Sequence, residues 1–115
     1  MTATDRSRVI RLAEARSRIP DSGSERSFVA MQRGTLDVKL SLPRRPNQQT
    51  PHAQDELYFI VQGWGVLLHD GKRDRFESGD LLFVAAGTEH CFEDFGEDLA
   101  VWRVFYGAPG GELPA

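Results

Sequence analysis

The sequence predicts an all-β sandwich or barrel, and three observations predict it. Apolar residues from Phe28 onward recur with a period of two, which places them on one face of extended strands. The apolar runs are rich in β-branched and aromatic side chains, as in Leu57-Tyr58-Phe59-Ile60-Val61. Gly- and Pro-containing turns separate these runs at short intervals, without a longer internal repeat. At 115 residues, 40% apolar and 27% charged, the chain has room for one hydrophobic core and little room for a second domain.

Residues 1–25 form a prelude to a domain spanning 26–115. Val9, Ile10, Leu12, Ala13, Ala15 and Ile19 fit a short amphipathic helix with Arg8, Arg11, Glu14 and Arg18 on its wet side. Asp5 is a candidate cap and Pro20 its end. A loosely packed arm fits the same residues.

Phe28–Met31 reads as a short strand turned by Arg33-Gly34 into a second strand, in which Leu36, Val38, Leu40 and Leu42 alternate with Asp37, Lys39 and Ser41. Pro43 and Pro46 stop it, because neither can donate to a ladder. Leu57–Val61 is the next strand, ended by Gly63. Trp64–Leu68 and Arg73–Phe76 flank a hairpin turn centred on Asp70-Gly71. Ser78-Gly79-Asp80 leads into Leu81–Val84, Ala86-Gly87-Thr88 turns the chain into a strand opening at His90, and Leu99–Tyr106 is the last strand.

A net charge of -3 argues against a nucleic-acid binder, since phosphate contacts need a basic surface. Charge is uneven: residues 1–26 hold six arginines against four acids, whereas Glu89–Asp98 hold five acids and no Lys or Arg. That acidic run is expected to be a solvated loop. The longest apolar run, Leu81–Ala86, is far too short to span a membrane, and no signal-like apolar segment follows Met1. The single cysteine, Cys91, excludes an internal disulfide and a multi-cysteine zinc site. A cytoplasmic protein is expected.

Three histidines narrow the search for chemistry. His69 abuts the Asp70-Gly71 turn and is expected to face solvent. His52 lies four residues before Glu56 at the start of an apolar strand, and His90 follows a turn 38 residues later. Imidazole nitrogens and a carboxylate suit a divalent first-row metal with open positions. Cys91, next to His90 with no base beside it, is not a candidate nucleophile.

The spacing around the two histidines resembles the cupin superfamily, whose motifs run G-x5-H-x-H-x3-4-E-x6-G and G-x5-P-x-G-x2-H-x3-N. Here Thr50-x-His52-x3-Glu56-x6-Gly63 matches the first and Gly79-x5-Ala85-x-Gly87-x2-His90-x3-Asp94 the second, separated by Trp64–Ser78. The resemblance covers about Gly34 to Gly107 and implies a cupin-type double-stranded β-helix, a jelly-roll barrel, preceded by a short arm or helix. It also implies that His52, Glu56 and His90 ligate a divalent metal ion, with iron, nickel, manganese and zinc undistinguished. The family's first motif histidine falls on Thr50, so three protein ligands remain, with Gln54 or water as a fourth contact. The same trio also fits a hydrogen-bonded polar cluster without metal.

Alternation makes Tyr58, Ile60 and Phe92 candidate walls of the barrel interior, and size adds Leu40, Phe83 and either Trp102 or Phe105. Arg103 is either an anion-binding group inside the barrel or an ion-pair partner at an interface. Both faces of the last strand are largely apolar, and cupins commonly pair through a sheet, so a homodimer is expected. The resemblance implies a small cupin acting on a small organic molecule, as a metal-dependent dioxygenase or isomerase with Glu56 as general base. A non-enzymatic small-ligand binding or sensor module is the alternative.

Overall fold

The computed structural model describes residues 6–22, 26–47 and 49–113. Among the described residues the chain forms one short helix, α1 (Leu12–Ser17), and eight strands: β1 (Ser27–Arg33), β2 (Leu36–Ser41), β3 (Asp55–Gln62), β4 (Trp64–His69), β5 (Lys72–Glu77), β6 (Leu81–Val84), β7 (His90–Phe95) and β8 (Ala100–Tyr106). They pair antiparallel in two sheets, ordered β1-β2-β8-β3-β6 and β5-β4-β7. This is a jelly-roll arrangement, with inner faces turned toward a shared interior.

Turn chemistry sets the strand ends. Asp70 and Gly71 both have positive φ, 50° and 77°, as a two-residue hairpin between β4 and β5 requires. Gly63, at φ 94°, lets β3 pass directly into β4; a Cβ there would lie 2.9 Å from the Leu99 Cα. Any side chain at Gly63 therefore meets backbone on one side and conformational strain on the other.

Inward-facing residues on three adjacent strands stack in levels. One joins Ile60 and Val101 with Ser41, the middle one Tyr58, Arg103 and Lys39, and the third Glu56, Phe105 and Asp37. From the other sheet Phe92 packs against them, its ring 5.1 Å from that of Tyr58 and 5.2 Å from that of Phe76. Ile60, Leu67, Val84 and Val101 complete this core.

A second, smaller core lies outside the barrel. Leu40 is fully buried there with Ala15 and Ile19, and Phe28, Leu42 and Trp102 pack on the same cluster. The apolar face of β2 thus meets α1 and its C-terminal flank, while its polar face, Asp37-x-Lys39-x-Ser41, looks into the barrel. Leu40 and Trp102, expected among the interior walls on size, are outer-face residues instead. Phe83 is also on the outside and 54% exposed. Of the pair Trp102 and Phe105, it is Phe105 that faces the interior.

The helix is shorter than its apolar pattern suggests. It starts at Leu12 with Arg11 as its N-cap and no side-chain cap; Asp5 lies outside the described residues, and Val9 is exposed. The acidic run is not simply a loop. Residues 90–95 form β7, where a bulge at Glu93 interrupts the alternation and keeps His90, Phe92 and Phe95 buried while Glu93 and Asp94 face solvent. There Glu93 pairs with Arg73 at 2.8 Å and Asp94 with Arg45 at 2.8 Å, which relieves the repulsion within the run. No helix of the described residues is long and apolar enough to cross a membrane.

Candidate metal centre

Strand alternation delivers Glu56, second residue of β3, to the interior, where its side chain is 1% exposed. Asp55 faces the other way and accepts hydrogen bonds from the backbone N–H groups of Ala86 and Glu112. These two bonds fix the start of β3 and with it the aim of Glu56. His90, first residue of β7, enters the same space from the other sheet, and His52 reaches it from the segment ahead of β3. The His52 carbonyl accepts from Gly87 N–H, tying this segment to the turn before His90.

The three residues converge. Glu56 Oε1 lies 3.6 Å from His52 Nε2 and 3.3 Å from His90 Nε2, and one ligand atom from each residue lies within 4.8 Å of the others. His90 Nδ1 stands 2.9 Å from the Thr88 carbonyl and so carries the proton, which leaves Nε2 as a lone pair aimed inward. His52 Nε2 and Glu56 Oε1 are buried atoms without a hydrogen-bond partner among the described residues. Buried unpartnered polar atoms are uncommon and costly, and together with His90 these two make a group that could hold a metal ion.

Charge distribution agrees with that reading. Burial opposes ionisation of Glu56, but His90 and the Arg103 guanidinium, whose Nε–H donates to Oε2 at 3.1 Å, hold its carboxyl below the ordinary value. Burial pushes His52 down, toward the neutral form a ligand needs. Burial works against protonation of His90 too, but Glu56 and the Thr88 carbonyl outweigh it and raise its pKa. Burial and the neighbouring Glu56 charge push the Tyr58 phenol up, so it stays protonated as a donor.

Gln49 organises the side of the site that the sequence reading missed. Its Oε1 accepts from Tyr58 Oη at 2.9 Å and from Arg103 at 3.3 Å, while its amide donates to Asn47 Oδ1. Asn47 Oδ1 in turn accepts from Phe92 N–H. Gln54, the alternative to water as a fourth contact, has its amide N–H groups donating to the Thr35 and Gly107 carbonyls. Thr50 is exposed and lines the mouth of the cup. His69 is distant from the trio in role, held 2.7 Å from Asp74 beside its hairpin. Arg103, left between two roles by the sequence, faces the interior.

Above the trio opens a cup of about 710 Å³, lined by His52, Arg103, Phe105 and the polar face of β2. The cup is a size suited to a small organic molecule.

The family model for the cupin domain matches residues 43–106, which contain all three converging residues. The chain belongs to the cupin domain family. Among solved structures, this cupin is similar to the plu4264 protein of Photorhabdus luminescens, with a TM-score of 0.68 at 12% identity over 90% of this chain and 88% of the other. It is also similar to a cupin 2 conserved barrel domain protein of Salinispora arenicola, with a TM-score of 0.63 at 15% identity over 90% and 92%. KdgF from Halomonas sp. aligns with a TM-score of 0.64 at 18% identity, over 75% of this chain and 82% of the other. At these identities the likeness is one of fold. An uncharacterized protein of Streptomyces coelicolor is 39% identical over 59 residues, 51% of this chain and 56% of that protein. The matched stretch thus spans little more than half of that relative.

Proposed function

We propose that this cupin binds one divalent first-row metal ion through His52 Nε2, Glu56 Oε1 and His90 Nε2, and acts on a small organic molecule held in the cup. The observation that carries the reading is the pair of buried, unpartnered atoms, His52 Nε2 and Glu56 Oε1, 3.6 Å apart with His90 Nε2 beside them. Two imidazoles and one carboxylate form a donor set suited to iron, nickel, manganese or zinc alike. Bound there, such an ion supplies Lewis acidity, with positions left open for water or substrate.

The chain's own residues do the rest. Arg103 keeps Glu56 ionised and fixes Oε2, so that Oε1 is the atom that ligates or accepts a substrate proton as general base. The Thr88 carbonyl holds His90 in the tautomer that presents Nε2. Tyr58, kept protonated, presents a hydroxyl beside His90 Nε2 at 3.2 Å. Isomerase and dioxygenase chemistry both suit this set. A binding or sensor module is the second reading, favoured by Thr50 at the missing ligand position and by the ion-paired state of Glu56, which weakens it as a base.

We also read the outer face of the larger sheet as the contact with a second copy of the chain. Phe59, Leu81 and Phe83 are exposed there at 42%, 57% and 54%, their cross-strand neighbours Leu57 and Trp102 are apolar, and so is Val104 opposite Leu57. A second copy offers the same uncharged surface, as a two-fold interface requires. The unpaired Cys91 accords with a cytoplasmic setting.

Equilibrium dialysis of the tag-free protein against manganese, iron, nickel and zinc tests the metal reading. One ion per chain is expected, with uptake lost in His52→Ala. Uptake unchanged in that variant, or none by the wild type, would remove the reading. Turnover across a panel of phenols, thiols and keto acids then separates enzyme from sensor.

A further inference from the structure

The cup carries a feature that the metal trio does not use. Strand β2 turns Lys39 and Ser41 inward, and Lys39 lies directly across from Arg103 in the β2–β8 register. Two like charges facing each other across a sheet repel. Arg103 is engaged by Glu56 and Gln49, whereas Lys39 forms no ion pair among the described residues.

Two neighbouring groups add donors, and the buried, unpartnered Asp37 Oδ1 on the same strand face is an acceptor among them. Ser41 is 6% exposed and its Oγ has no hydrogen-bond partner among the described residues. Arg26 Nε, on the same cup, is buried and likewise unpartnered. Among the described residues, Arg26, Lys39, Arg44 and Arg103 all line the cup, and against them stand the carboxylates of Asp37, on the cup wall, and Glu56, beneath it. The cup therefore has a positive excess before any metal is counted, and a divalent ion would enlarge it.

We propose that Lys39, Ser41 and Arg26 form the recognition site for the carboxylate of a small organic acid, held in the same cup as the metal trio. The inference deepens the proposed function by naming the substrate class, and rests on that reading only for where the rest of the acid lies. A carboxylate offsets part of this positive excess, accepts from Ser41 Oγ and Arg26 Nε, and relieves the repulsion between Lys39 and Arg103. A neutral ligand would leave the repulsion in place, and a nonpolar one would bury the donors of Ser41 and Arg26 unsatisfied.

Isothermal titration with malonate, its neutral diamide and inorganic phosphate tests this, at constant ionic strength, on the protein as purified and after chelator treatment. Malonate is expected to bind one per chain in both forms and the diamide not at all. Lys39→Met should weaken malonate at least tenfold and Ser41→Ala severalfold, while Lys39→Arg, which keeps the charge, restores binding if Lys39→Met folds poorly. Equal binding of malonate and diamide, tighter binding of phosphate, or malonate affinity untouched in Lys39→Met would each overturn the proposal. Because the chelated protein is titrated as well, loss of the metal reading would leave this result standing, and the reverse.

Discussion

Replacing Glu56 by Gln separates a metal centre from a structural polar cluster, because the two readings predict opposite patterns. The substitution keeps shape and leaves an amide oxygen for the Arg103 Nε–H, now 3.1 Å from Oε2. Arg103 is also 17% exposed toward the cup, so it keeps access to water. The metal-free variant is therefore expected to lose no more than about 1–3 kcal/mol, the usual cost of a weakened buried hydrogen bond. Metal binding should suffer far more, since Glu56 is the only anionic ligand of the three. Unit charges about 4 Å apart at an effective dielectric of about 20 exchange roughly 4 kcal/mol, so losing the carboxylate costs at least about a thousandfold in affinity.

Thermal unfolding reads the difference. With metal at about 100 times its Kd, the wild type gains about 2.7 kcal/mol. For a chain of 115 residues, an unfolding entropy of about 2.1 cal/mol/K per residue turns this into a rise of roughly 11 °C. At the same metal concentration Glu56→Gln should rise by less than about 1 °C. A metal-induced shift that persists in Glu56→Gln would refute the reasoning. So would a wild type insensitive to all four metals together with a metal-free variant that scarcely folds.

Other consequences concern the frame around the site. Leu40→Ala should destabilise the protein by about 2–5 kcal/mol in chemical denaturation, as expected for a fully buried leucine, without changing metal uptake, because Leu40 packs under α1 and not in the cup. Asp55 has its carboxyl held below the ordinary value of 3.8 by the N–H groups of Glu112 and Ala86. Its stabilising contribution is full above that unfolded-state value and is lost as pH falls through the lower folded-state one; Asp55→Asn should flatten this acid limb of the stability profile in urea titrations at pH 5 to about 2. Light scattering at high micromolar concentration should give the mass of a dimer, and Phe83→Asp that of a monomer; a monomeric wild type would remove the second-copy reading.

Much of the fold was legible because period-two patterning and turn residues act locally. Each of the eight strands lies within about two or three residues of its sequence-based bounds at most ends, and the Asp70-Gly71 hairpin follows from chemistry that only a positive φ satisfies. The trio was legible through motif spacing, since alternation along β3 and the turn before β7 fix where Glu56 and His90 point. What escaped was which face of a strand looks inward. The β2 pattern reads as one apolar and one wet face, and ordinary logic turns the apolar face to the barrel. Here α1 supplies a second core, so Leu40 faces out and Lys39 and Ser41 face in. The acidic run misled for a related reason: Glu93 and Asp94 sit at a bulge between buried Phe92 and Phe95, so a charged segment can still be a strand. Gln49 gave no signal, because its role depends on two partners, Tyr58 and Arg103, distant in sequence.

The most direct test of the account is a crystal structure of metal-loaded protein with anomalous scattering collected at the absorption edge of the added metal. One anomalous peak per chain is predicted, about 2.0–2.2 Å from His52 Nε2, Glu56 and His90 Nε2, the usual range for such ligands. A peak on other residues, or no peak while His52, Glu56 and His90 stay clustered at full metal load, would contradict it.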